Sequence, residues 1–198
     1  MQGAHLIAEA LACRKGDRLL FAGLSFALAP GEALQVKGPN GIGKSSLLRI
    51  IAGLARPFEG RIVREGAVAL LDERIALDEH RPLARALGFW CTIDGCEPYT
   101  HMGLLGIANL ADVPVRYLST GQRKRAAFAR LIDQRAPIWL LDEPLNGLDA
   151  AAVELVEELT RDHCANGGIA VIASHQPFRL DGMEQLALAD FVPEGSGA

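Results

Sequence analysis

The feature that most constrains this chain is the octapeptide Gly38-Pro39-Asn40-Gly41-Ile42-Gly43-Lys44-Ser45, which fits the pattern G-x-x-x-x-G-K-[ST]. It follows a short apolar run, Ala33–Lys37 (ALQVK), that reads as a buried strand. It precedes Ser45–Leu54 (SSLLRIIAGL), whose apolar residues recur at helical spacing, with Gly53 and Pro57 as stop signals. Glycines let successive backbone N–H groups converge on an anion without side-chain obstruction, and the helix N-terminus adds positive potential at the same point. The spacing therefore predicts a nucleotide phosphate site. Lys44 would reach the β- and γ-phosphates and the Ser45 hydroxyl would ligate Mg2+. Gly38, Pro39, Asn40, Gly41, Ile42, Gly43 and Ser46 would complete the cradle.

The rest of the chain reads as α/β. Pro137–Leu141 (PIWLL) and Ile169–Ser174 (IAVIAS) look like further buried strands, and Ala151–Cys164 looks like an amphipathic helix ended by Gly167-Gly168. Near-continuous apolar strands separated by helices imply a parallel sheet covered on both faces. Arg61–Val63 and Ala67–Leu71 flank Arg64-Glu65-Gly66 in a hairpin-like pattern. Arg81–Arg135 is helical in pattern and carries no comparable strand, so a helical insertion is expected. The 198 residues fit one domain, 1–198, and the tail Pro193–Ala198 is expected to fray.

Composition narrows the function classes. Lys and Arg number 20 against 24 Asp and Glu, a net charge of −4. The pI is about 5.7. A nucleic-acid-binding domain usually sits above pI ~9, so that class is disfavoured. Mean hydropathy is +0.16, yet no apolar run reaches the roughly 18 residues of a membrane span. The N-terminus has no basic region before its apolar stretch, so no signal peptide is expected. Cys91 and Cys96 are separated by four residues, neither a CxxC redox pair nor a regular zinc spacing. With Cys13 and Cys164 they are expected to be four reduced thiols acting as small hydrophobes in a reducing cytoplasm.

Two further strand ends carry chemistry. Ile138–Leu141 ends in Asp142-Glu143-Pro144. Carboxylates at the C-terminal edge of a strand lie where α/β sheets bind ligands. Asp142 is predicted to hold Mg2+ through water, and Glu143 to polarise a water for attack on the γ-phosphate. Neighbouring strand residues face opposite sides, so both acids can serve only where the strand stops, and Pro144 marks that stop. His175 follows the strand ending Ala173-Ser174 and is predicted to contact the γ-phosphate and the attacking water.

At Leu118-Ser119-Thr120-Gly121-Gln122 the chain resembles the LSGGQ signature of the ABC ATPases, with threonine at the third position. The other family pieces follow in order: the loop Gly38–Ser45, the acids Asp142-Glu143, a D-loop-like Leu145–Asp149 and the switch histidine His175. Among ABC ATP-binding subunits it is most similar to those of the cytochrome c maturation (haem exporter) systems. The similar stretches are Leu19–Phe26, Arg116–Arg125, Trp139–Pro144, Gly167–Ile169 and Ser174–Pro177. The resemblance implies a RecA-like parallel core, an antiparallel β-subdomain and a short helical subdomain at about 78–132. It also implies a homodimer that sandwiches two ATPs, each between one chain's Lys44 and Ser45 and the other chain's Ser119, Thr120, Gly121 and Gln122. Glu143 would hydrolyse and Asp149 would link the two sites. Integral membrane partners at the cytoplasmic side of a bacterial inner membrane are implied as well, in a haem-related step of c-type cytochrome assembly. A soluble, non-transport ABC ATPase and a nucleotide-gated interaction module with weak hydrolysis are the competing readings.

Several positions depart from the family pattern or stand beside it. The switch glutamine's place reads Leu71-Asp72-Glu73-Arg74, with Glu73 as a candidate Mg2+ ligand or a plain loop acid. No aromatic residue occurs in Cys13–Gly16 to stack on adenine, which leaves Arg14 or Lys15 for that role. Arg123-Lys124-Arg125 with Arg130 and Arg135 reads as the solvated face of a helix rather than a nucleic-acid patch. Phe89 and Trp90 suit either a groove for a membrane partner's helix or core packing.

Overall fold

The computed structural model describes residues 4–72, 75–96 and 100–193. In chain order these form β1 (His5–Lys15), β2 (Arg18–Leu28), β3 (Ala33–Lys37), α1 (Lys44–Ile51), β4 (Glu59–Glu65) and β5 (Val68–Leu71). There follow α2 (Leu83–Asp94), α3 (Thr100–Leu104), α4 (Thr120–Asp133), β6 (Ile138–Asp142), α5 (Ala150–Ala165), β7 (Ile169–Ala173) and β8 (Glu184–Ala187). Five strands make a parallel sheet in the order β5-β6-β7-β3-β8, and three make an antiparallel sheet in the order β2-β1-β4.

The two faces of the parallel sheet bury different cores. Ile138 and Leu140 of β6, Ile169 and Val171 of β7, and Leu34 and Val36 of β3 join α1 and the antiparallel sheet. Their neighbours Trp139, Leu141, Ala170, Ile172 and Ala33 join α2, α4 and α5. A strand buried on both faces needs apolar residues at every position, which is why these runs carry no polar alternation. Between β5 and β6 the chain leaves the sheet as a helical arm of α2, α3 and α4.

Two expectations need correction. Arg61–Val63 and Ala67–Leu71 are not a hairpin: β4 pairs antiparallel with β1, whereas β5 pairs parallel with β6. Gly66 (φ +108) turns the chain from one sheet into the other. The thiols are not all reduced, because Cys91 and Cys96 are joined in a disulfide. Gly95, left-handed at φ 69, ends α2, and both Gly95 N–H (2.9 Å) and Cys96 N–H (3.1 Å) donate to the Cys91 carbonyl. That turn folds Cys96 back onto Cys91. Cys13 and Cys164 are free and buried, and burial pushes the Cys164 thiol up to about 11, so it packs as a small hydrophobe. Of the tail expected to fray, Pro193–Ala198, residues 194–198 lie outside the described residues.

The end of α5 docks through His163, which stacks on Trp139 at 4.0 Å and donates to the Ile169 carbonyl at 3.2 Å. Burial holds the imidazole below the ordinary histidine value of 6.5, against the opposing pull of its backbone hydrogen bonds. The folded chain therefore keeps His163 neutral where the unfolded chain protonates it, and stability falls as pH drops below 6.5. Thermal melts from about pH 7.5 to pH 5.5 should show this loss. His163→Phe, which keeps the stack, should flatten the slope; an equal slope in the variant contradicts the assignment.

Candidate functional site

The phosphate loop leaves β3 and enters α1 with Gly38, Gly41 and Gly43 all at positive φ. Gly43 is constrained both in backbone and in space. At φ 121 a side chain is disfavoured, and its Cβ would also stand 3.2 Å from Phe21 and 3.3 Å from Leu20. Gly43 is the N-cap of α1, and no side chain caps that helix, so its first-turn N–H groups face the loop. Lys44 is 6% exposed, and its Nζ donates to the carbonyls of Gly38 (2.8 Å) and Pro39 (3.3 Å). A cavity of about 390 Å³ opens here, lined by Lys15, Leu20, Asn40, Gly41, Gly43, Lys44, Ser45, Ser46 and Glu143. Ile42 instead packs inward, close to Gly38. Of the two candidates for stacking on a base, Lys15 lines this cavity, whereas Arg14 lies over the Phe58 ring at 4.5 Å.

Glu143 is the junction of the site. β6 stops at Asp142, and Glu143 takes a left-handed φ of 44 while its N–H donates to the Ala173 carbonyl at 2.8 Å. Such a conformation costs on the order of 1–3 kcal/mol for a residue with a side chain and persists where contacts over-determine it. Here they do: Glu143 Oε1 lies 3.3 Å from Lys44 Nζ, and Oε2 accepts from His175 Nδ1 at 2.8 Å. Burial pushes the carboxyl up, but the hydrogen bonds and charges of His175 and Lys44 outweigh it and hold Glu143 below its ordinary 4.5. It is therefore a carboxylate at neutral pH, and its contribution to stability is lost only as pH falls below 4.5.

Asp142 is 5% exposed and ends β6 beside Ala173 of β7. Strand alternation puts it on the face of Ile138 and Leu140, which is the α1 face that carries Ser45. A serine hydroxyl and a carboxylate are hard oxygen donors of the kind Mg2+ takes, so these two residues fit that ion. Glu73 lies outside the described residues.

The loop after β7 is braced by residues that the sequence reading passed over. Gln35 of β3, 1% exposed, donates through Nε2 to the Gln176 carbonyl at 2.8 Å. Gln176 in turn donates to Asn146 Oδ1 at 3.0 Å. A glutamine inside the apolar run ALQVK was the available signal, since a buried amide requires partners.

The signature residues open α4. Ser119 is its N-cap, and Gln122 closes a capping box: Gln122 N–H donates to Ser119 Oγ at 3.3 Å and Ser119 N–H to Gln122 Oε1 at 2.9 Å. A Cβ on Gly121 would stand 2.8 Å from the Gly147 carbonyl, so the helix start passes directly against the D-loop-like segment. Thr120 Cγ2 would lie 3.0 Å from a Cβ on Gly147, so the threonine packs against that same glycine. Asp149 caps α5 by accepting from Ala152 N–H at 2.8 Å, and its other oxygen meets Arg125 at 3.5 Å. A second cavity, about 630 Å³, joins Thr120, Arg123 and Lys124 to Glu143. Glu143 thus borders both cavities, one built by the phosphate loop and one by α4.

The basic stretch is a solvated face only in part: Arg135 is exposed, Arg123, Arg125 and Arg130 are half-buried, and Lys124 turns inward. Lys124 is 9% exposed, and its Nζ donates to the Glu143 carbonyl at 3.1 Å. Arg123 donates to the Arg116 carbonyl at 2.6 Å, and Arg130 lies over the Trp90 ring at 3.8 Å. Phe89, 53% exposed, borders a cavity of about 250 Å³ with Trp90, Arg81 and Asp78. Hydrogen bonds from a charged donor are worth about 1.5–3 kcal/mol. Lys124→Met should therefore lower phosphate release roughly tenfold while ATP binding is kept, measured by steady-state release beside nucleotide titration.

A family model described as "ABC transporter" matches residues 21–146. The chain is 56% identical, over 98% of its length and 100% of the relative, to a cytochrome c biogenesis ATP-binding export protein of Novosphingobium aromaticivorans. A protein of the same description from Sphingopyxis alaskensis is 50% identical over 92% of the chain and 96% of that relative. Among solved structures, a metal-chelate type ABC transporter in an inward-facing conformation matches with a TM-score of 0.76 and 28% identity, covering 93% of this chain and 80% of that one.

Proposed function

Because the chain belongs to the ABC transporter family, alongside the cytochrome c biogenesis ATP-binding export proteins, we propose that it is the ATP-hydrolysing subunit of a membrane complex in c-type cytochrome assembly. The cargo side is a haem-related export step. The observation that carries the hydrolytic part is the Glu143 carboxylate held between Lys44 and His175 at 3.3 and 2.8 Å.

The residues act in sequence. The loop Gly38–Ser46 receives the triphosphate, and Lys44 exchanges the carbonyls of Gly38 and Pro39 for the β- and γ-phosphates. That exchange releases Glu143 from its pairing with Lys44. Its carboxylate, already ionised, then accepts a proton from the attacking water, while His175 orients it through Nδ1. Ser45 and Asp142 would hold Mg2+, which would supply positive charge against the phosphates. Ser119 and Thr120 are exposed at the start of α4, where a second copy of the chain can present its own ATP to them. The resulting homodimer closes with two nucleotides between its halves.

The membrane contact is assigned to the helical arm. Phe89, Ile93, Leu104 and Tyr117 are large apolar residues at least 50% exposed there, and the cavity beside Phe89 and Trp90 would take an apolar helix end from an integral partner. No described helix is long and apolar enough to cross a membrane. The likeness to ATP-binding export proteins supports peripheral attachment at the cytoplasmic side of the inner membrane.

Glu143→Gln should bind ATP, form a stable dimer by light scattering and lose about 10²–10⁴-fold in phosphate release. Unchanged turnover would remove Glu143 from its role. Affinity purification from detergent-solubilised membranes should recover integral partners with the wild type and lose them with Phe89→Ala. Recovery from the soluble fraction alone, with no integral partner, contradicts the membrane reading.

A further inference from the structure

The helical arm holds a second cluster of metal-ligating side chains, remote in sequence from the nucleotide loop. Cys91 lies in the last turn of α2, and the left-handed Gly95 brings Cys96 back beside it, with Cα atoms 4.7 Å apart. Asp133, the last residue of α4, meets them from the other side. Both sulfurs and one Asp133 carboxylate oxygen lie within 4.8 Å of one another, and Cys91 Sγ is 3.8 Å from Asp133 Oδ2. Cys91 is 3% and Asp133 6% exposed and Cys96 is half-buried, so the cluster is set into the arm with one side open to solvent. The other carboxylate oxygen is held by Nδ1 of His101, on α3.

We propose that in the reduced chain Cys91, Cys96 and Asp133 bind a zinc-like divalent cation, with His101 bracing the carboxylate from outside the coordination sphere. Two thiolates with one carboxylate form a donor set that suits borderline-soft Zn2+ and not Mg2+ or Ca2+. Zinc bonds of about 2.3 Å to sulfur and 2.0–2.2 Å to oxygen place tetrahedral ligand atoms roughly 3.5–3.8 Å apart. The cluster reaches that spacing once the two sulfurs separate, with little movement of the carboxylate. A ligating carboxylate that is itself hydrogen-bonded is the usual outer-shell arrangement, and the fourth position is left to water. The disulfide closes the end of α2 on itself, whereas the cation would tie that turn to the last residue of α4. A dithiol reductant cleaves the Cys91–Cys96 bond, giving two electrons and two protons to the sulfurs and leaving as its own disulfide. Binding the cation then releases both thiol protons.

The test uses the full chain without nucleotide, first oxidised, then reduced with a dithiol that is removed under anaerobic conditions. Each form is loaded with Zn2+ or Co2+ and desalted, and bound metal is counted by elemental analysis. The reduced chain should retain one zinc per chain, and its cobalt form should show thiolate-to-cobalt charge-transfer absorption; the oxidised chain should show neither. Cys96→Ser should abolish the absorption band and zinc retention. Asp133→Asn and His101→Gln should each weaken affinity about 10–100-fold. Equal retention by reduced and oxidised wild type overturns the proposal without reliance on any variant. Undiminished binding by Cys96→Ser or Asp133→Asn overturns the ligand assignment.

Discussion

Three short parallel strands at the centre of the sheet, β3, β6 and β7, are buried on both faces and leave polar groups little room except at the strand ends. In β3, β6 and β7 successive side chains alternate between two separate apolar cores. A charged residue within those runs would have to be desolvated without a partner, at a cost of several kcal/mol. The chemistry therefore collects at the carboxyl edge: the phosphate loop after β3, Asp142 and Glu143 at the end of β6, and His175 after β7. Glu143 joins these pieces, because its turned backbone bonds β7 while its side chain meets both Lys44 and His175.

Most of that edge was legible in the sequence because each part is local. A buried strand, a glycine-rich turn and a helix start are contiguous at Ala33–Leu54, and an apolar run ending in acids is contiguous at Ile138–Pro144. The β1–β2 pair was missed for a physical reason. Register shifts between Ala8 and Cys13, with Ala10 at φ 46, break the two-residue alternation that would announce a strand. The wrong hairpin shows the converse, since a local pattern identifies β4 and β5 but not which sheet each joins. β8 is four mostly exposed residues and carries almost no signal.

Lys124 and the cysteine pair were misread through charge and spacing. Read by helical phase, Lys124 stands one turn before Phe128 and two before Leu131, both buried, so the inward face was visible within the basic run. The Cys91–Cys96 spacing looked wrong for a pair only because linear spacing ignores a left-handed helix end. The apolar surface of the arm was legible in part: Phe89 stood out in the sequence, whereas the exposure of Ile93, Leu104 and Tyr117 depends on how the helices pack.

Fourteen residues make α4 a rod of about 21 Å. Its first turn rests against Gly147, its middle holds the Glu143 carbonyl through Lys124, and its last residue is gripped by His101. All three stations lie on one unbroken helix, so a displacement of the arm is carried along it to the Glu143 carbonyl through Lys124.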